Sequence, residues 1–109
     1  MRLLTFLALT IVVTSSCNQH NDIDLCIEER IANFGSEVCE NDASVKEYTF
    51  QGETTYAISF GSCLADYHDL ILDAECDTLG LVGGFGGISD INGENYYQNA
   101  ILEATIWQN

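Results

Sequence analysis

The sequence predicts an α+β domain: one N-terminal helix packed on a small, mainly antiparallel β-sheet and braced by disulfides. Three observations lead there. Apolar residues recur at helical spacing between Asp22 and Phe34. Later segments alternate at strand period and are separated by glycine-containing turns. Four cysteines, Cys26, Cys39, Cys63 and Cys76, are spread through a chain too short to rest on its core alone.

The first seventeen residues are an address rather than part of that fold. Arg2 supplies a positive charge, Leu3 to Val13 is apolar apart from two threonines, and Thr14-Ser15-Ser16 puts small residues before Cys17. A charged start, a short apolar run and a small-residue cleavage site make a secretory signal over residues 1–16. A membrane span needs about 20 apolar residues, and this run is shorter. The cysteine directly after the cleavage site resembles the lipobox of bacterial lipoproteins, where it carries the lipid and opens the mature chain. Thr14 and Ser15 depart from the commoner leucine-alanine pattern. Residues 17–21 are then the lipidated Cys17 and a short polar tether, and residues 22–109 are one domain. Asn18 to Asn21 spans only about 14 Å when stretched, so a lipidated chain would hold its domain close to the membrane.

Asp22 to Phe34 is the helix. Ile23, Cys26, Ile27, Ile31 and Phe34 share one face, with Asp24, Glu28 and Glu29 off it. Asn21 or Asp22 can cap its start, and Gly35 suits the position past its end. Lys46 to Phe50 and Thr54 to Phe60 are two strands joined around Gln51-Gly52-Glu53. A two-residue loop would set Tyr48 opposite Thr55 and put the two aromatic sets on opposite faces. A three-residue loop sets Tyr48 opposite Tyr56, and it is the one expected.

Cys63 to Tyr67 reads as a turn, Leu70 to Leu72 as a strand, Asp73 to Asp77 as an acidic turn and Thr78 to Val82 as another strand. Gly83 to Gly87 is too glycine-rich for an element interior. Asp90-Ile91-Asn92-Gly93 is a turn, and Glu94 to Ala100 holds one or two helical turns. Ile101 to Trp107 closes the chain as a strand, with Leu102, Ala104 and Ile106 facing one way.

An even cysteine count in an exported chain reads as two disulfides. Three connectivities are open; Cys26–Cys39 with Cys63–Cys76 is favoured because each pair brackets one compact segment. Zinc is excluded by spacing, since no two of these cysteines form a C-x₂₋₄-C pair. Beyond residue 16 only Arg30 and Lys46 oppose 17 acidic residues. Such a surface repels nucleic acid and anionic head groups, so the membrane is reached only through the lipid.

No catalytic or cofactor constellation emerges. Gly84 and Gly86 begin a dinucleotide fingerprint, but Ser89 stands at its third glycine and no P-loop lysine follows. Asp90, Asn92 and Glu94 alternate as calcium ligands do, yet Asn95 and Ile101 occupy the glycine and glutamate places of an EF-hand. Asp66, Asp69, Asp73, Glu75 and Asp77 read as a solvated acidic rim. His68 between Asp66 and Asp69 has no nucleophile beside it, and Ser62 is not in a G-x-S-x-G elbow. The chain is therefore expected to bind rather than catalyse, without metal or cofactor. The segment from Gly83 to Gly93, bearing Phe85, Asp90, Asn92 and Glu94, with Tyr96 and Tyr97 beside it, is the expected partner-facing surface.

An ordered set of segments carries a family resemblance. These are Asp24-Leu25-Cys26-Ile27, Val45 to Gly52, Cys63-Leu64-Ala65-Asp66, Cys76 to Gly80, Gly83-Gly84, Ile91 to Glu94 and Thr105-Ile106-Trp107. Together they resemble a domain of unknown function found in small lipoproteins of Bacteroidota-type bacteria. The resemblance implies an exported, lipid-anchored envelope protein, at the outer membrane, with no catalytic residues to carry over. It leaves open a protein partner, a glycan or calcium ligand, or inhibition of an exported enzyme through the Gly83 to Gly93 loop.

Overall fold

The computed structural model describes residues 23–35, 37–63, 68–84 and 86–109. The signal, Cys17, the tether, the residues 64–67 of the expected Cys63 to Tyr67 turn and Phe85 lie outside the described residues. The elements run α1 (Leu25–Ala32), β1 (Ser44–Phe50), β2 (Glu53–Ser59), β3 (His68–Asp73), β4 (Thr78–Gly83), β5 (Asp90–Ile91), β6 (Glu94–Asn95), α2 (Tyr96–Asn99) and β7 (Ile101–Gln108). The main sheet has the order β4-β3-β2-β1-β7, and every pairing in it is antiparallel. No described helix is long and apolar enough to cross a membrane.

The helix α1 is shorter than its apolar periodicity suggests and sits within the chain. Asp24, not Asn21 or Asp22, is its N-cap residue, and its carboxylate makes no capping bond. It accepts instead from the Tyr56 hydroxyl at 2.6 Å, which fastens the helix start to β2. Ile27 is buried against Val45, Tyr56, Ile58 and Leu72, with Ile31 and Phe34 packed around them. Phe34 meets Trp107 of β7 with ring centres 5.2 Å apart. This is the helix face of the sheet.

The opposite face is covered by the segment from Ile88 to Ala100. Here Phe50, Ala57, Ile71 and Val82 pack against Ile91 and Tyr96. The cap docks because Gly80 leaves room: a Cβ there would stand 2.6 Å from the Ile91 side chain. The cap itself is a small β5–β6 hairpin turning at Asn92-Gly93, both with positive φ. It continues directly into α2, whose N-cap Asn95 accepts from the Gln98 amide at 3.0 Å.

Two covered faces explain the β1–β2 register. Tyr48 pairs with Thr55, so the loop is the two-residue Gln51-Gly52 turn, with φ of 52° and 78°. The expected three-residue loop is thus overturned. Splitting the aromatics is no penalty here, because Tyr48 and Phe50 face the cap while Tyr56 faces the helix. A turn with positive φ at both central positions also matches the twist of its strands.

The disulfides join Cys26 to Cys76 and Cys39 to Cys63, with Cα separations of 6.1 and 5.7 Å. The expected pairs are corrected. Cys26 lies on the apolar stripe of α1 and reaches across the sheet to the β3–β4 turn, so contact between layers overrides closeness in sequence. That turn is shaped by Asp73, whose Oδ1 accepts from the amides of Glu75 and Asp77, both at 2.9 Å. The second bridge fixes the segment leading into β1. Gly61 passes so close that a Cβ would lie 2.6 Å from Cys39, and its φ is 100°.

The last strand differs from its expected alternation. Leu102 pairs with Tyr48 and Ala104 with Glu47, neighbours that point to opposite faces. Two register shifts cause this, between Val45 and Lys46 and between Glu47 and Tyr48. These irregularities bend an edge strand that exposes Ile101 and Leu102, and such bends discourage edge-to-edge pairing.

Candidate functional site

The cap covers only part of its face. Between the end of α2 and the entry to β1 the sheet stays open, forming a groove of about 320 Å³. Its floor is built by register. Ser44 lies opposite Ser59, Lys46 opposite Ala57, and Ser59 opposite Asp69, so alternate residues of β1, β2 and β3 all look into it. Tyr48 and Tyr97 wall one end, and Asp42 stands at the other.

Both ends are held in place. Tyr97 donates its hydroxyl hydrogen bond to Asp69 Oδ2. Its ring packs edge-on against Tyr48 and Tyr96, with centres 5.7 and 5.1 Å away. Burial pushes the Tyr97 phenol well above its usual range, and the hydrogen bond and charge of Asp69 push it further. It therefore stays a neutral donor at any physiological pH. Burial and then the charge of Asp69 also raise Tyr48. At the far end, Asp42 has a φ of 67°, and its carboxylate accepts from the Ser62 hydroxyl at 3.2 Å. The Cys39–Cys63 bridge braces this corner. Asn109 adds a clasp: its amide nitrogen donates to the Cys39 carbonyl at 2.6 Å, and its Oδ1 accepts from the Ala43 amide at 3.0 Å.

The residues expected at a partner-facing surface separate. Tyr96 is corrected to a core residue, fully buried, its hydroxyl 2.6 Å from Thr55 Oγ1. It occupies the cap position that closes over Phe50, with ring centres 4.9 Å apart. Burial pushes its phenol up to about 12, against a smaller opposing pull from the Thr55 hydrogen bond. Tyr97, next in sequence, is 42% exposed and belongs to the groove. Asn92 and Glu94 are exposed but engaged: Gln51 Nε2 donates to the Asn92 carbonyl at 3.4 Å and to Glu94 Oε1 at 3.1 Å. They clip the cap hairpin to the β1–β2 turn. Asp90 is exposed at the start of β5. Among the described residues no group of three or more histidine, cysteine, aspartate or glutamate side chains is placed to hold a metal.

Sequence reasoning missed the groove. Ser44, Lys46 and Tyr48 share parity on a recognisable strand. Asp69, Ser59 and Tyr97 join them only through the sheet order and the path of the cap. Lys46 being the sole lysine of the chain was the available signal.

Fold and bridges together define the class: a small, disulfide-braced antiparallel-sheet protein of an oxidising compartment outside the cytosol. Residues 32–109 match the model of a family described as a domain of unknown function (DUF6970), and the chain belongs to that family. Neither the curated proteins nor the solved structures contain a match to it.

Proposed function

We propose that this protein is a lipid-anchored, non-enzymatic binding module of the bacterial cell envelope, held at the outer membrane by Cys17. The observation that carries the reading is the pair of disulfides, Cys26–Cys76 and Cys39–Cys63, which supports an exported domain folded in an oxidising compartment. The lipobox-like Cys17 supports the same reading. The acidic surface leaves the lipid as the means of attachment.

Replacing Cys17 with Ser should abolish incorporation of a fatty-acid probe and release the protein into the soluble fraction. Wild-type protein that takes up no probe would end the proposal.

A further inference from the structure

We infer that the groove between α2 and the β1 entry is a binding site for a neutral saccharide of one or two rings. This rests on the reading of the chain as a binding module and names the ligand class it takes. Its size stands at the lower end of small-ligand sites, about 300–1,000 Å³.

Three features select the chemistry. First, donors and acceptors are mixed within one small space. Lys46 offers an ammonium, Asp42 and Asp69 offer carboxylate oxygens, and the serine and tyrosine hydroxyls can do either. A sugar ring presents vicinal hydroxyls that donate to a carboxylate on one side and accept from an ammonium on the other, and such chains of hydrogen bonds reinforce one another. Second, the wall is aromatic. Tyr48 and Tyr97 close one end of an otherwise mainly polar lining and offer a small apolar patch to the C–H groups of a pyranose. Third, the two carboxylates outnumber the one lysine. An anionic ligand is repelled by this balance and by the acidic surface around it.

The site is also preorganised. Tyr97 is locked by Asp69, and the Asp42 corner by the Cys39–Cys63 bridge and Asn109. Little ordering entropy remains for a ligand to overcome.

The test is NMR titration of the oxidised exported protein with chitotriose, maltotriose and mannotriose, and with trigalacturonate as an anionic control. At least one neutral sugar should shift the amides of Ser44 to Tyr48, Ser59, Asp69 and Tyr97, with a Kd on the order of 1 mM or tighter. Trigalacturonate should bind at least tenfold more weakly. Lys46→Met should weaken binding about tenfold at a Tm close to wild type. Tyr97→Leu should weaken it about tenfold with a lower Tm, from the lost ring packing and Asp69 hydrogen bond. Glu53→Gln at the opposite end of the sheet should change nothing. No shift with any neutral sugar up to tens of millimolar overturns the inference. So does equal binding of trigalacturonate, or unchanged binding by Lys46→Met. Fatty-acid labelling at Cys17 is independent of all these outcomes, so failure of the sugar site and failure of the anchor are told apart.

Discussion

The two faces of the sheet are closed by different means. On the helix face, α1 packs an aliphatic stripe onto Val45, Ile58 and Leu72, and a disulfide holds it there. On the cap face, closure is non-covalent: the rings of Tyr48, Phe50 and Tyr96, a buried hydroxyl pair, and Ile91 seated over Gly80. Among the described residues, the helix side has a pocket of about 350 Å³ lined by Cys26, Glu29, Arg30, Asn33, Glu37 and Cys76, outside the strands. The groove beside Tyr97 instead has strand residues for its floor. The difference teaches where each constraint acts. The helix face resists separation of layers, while the cap face leaves part of the sheet accessible and spends its second bridge, Cys39–Cys63, on the rim of that opening.

The largest effect should come from cutting the helix-face staple. Its loop spans 50 residues, against 24 for the rim bridge. Chain-entropy scaling gives about 4 kcal/mol for the first and about 3.5 kcal/mol for the second. A Cys26→Ser/Cys76→Ser protein should therefore lose more stability in urea than Cys39→Ser/Cys63→Ser. It should also show fast amide exchange in α1 while the cap keeps its protection. Equal exchange on both faces would mean that the faces do not open separately.

That asymmetry also shows what was legible in the residues and what was not. The stripe from Ile23 to Phe34 marked the helix and its inward side, because helical periodicity is local. Strand positions were legible for the same reason. Connectivity of the cysteines was not, because Cys26 and Cys76 meet only once α1 lies across the sheet. The expected three-residue loop keeps the aromatics on one face, and it gives way to the tight Gln51-Gly52 turn because both faces of the hairpin are covered. Tyr56, Ala57 and Ile58 are three consecutive apolar residues, all buried, and such a run is the mark of a strand covered on both sides. Tyr96 and Tyr97 could not be told apart locally, since a one-residue step in α2 decides which ring enters the core. Lys46 and Asp69 were each visible, but their sharing a groove depends on β2 lying between their strands.

A middle-sized effect tests the cap's polar seam. Thr55 Oγ1 lies 2.6 Å from the Tyr96 hydroxyl and 3.3 Å from the Tyr48 carbonyl. Tyr96→Phe leaves Thr55 its carbonyl partner and should cost about 1 kcal/mol. Thr55→Val strands a buried phenol and should cost about 1–3 kcal/mol. The double variant should cost clearly less than the sum, with a coupling of about 1 kcal/mol measured in a denaturation cycle. Strict additivity would show that the pair contributes only packing. The same variants should leave exchange in α1 unchanged if the faces are independent.

The smallest effect concerns an electrostatic flaw at the open border of the helix face. Glu47 pairs with Ala104 of β7, where burial, then the charges of Glu103 and Asp24, raise its carboxyl above the ordinary value. Both neighbours are engaged beside it: Asp24 accepts from Tyr56, and Glu103 accepts from Thr49 at 2.6 Å. A carboxyl raised in the folded state favours folding most while it is protonated. Its relative stabilisation is present below the unfolded pKa and lost as pH rises through the folded one. At neutral pH the ionised Glu47 therefore works against the fold, and Glu47→Gln should raise stability there, by no more than about 0.5 kcal/mol at so open a site. The gain should disappear as pH falls below the carboxylate range, where wild-type Glu47 is itself neutral. Added salt should shrink it as well, since screening weakens the two repulsions but leaves the burial cost. A gain that persists unchanged at low pH would assign the effect to side-chain shape. A loss at neutral pH would show that the Glu47 carboxylate has a partner that outweighs Glu103 and Asp24.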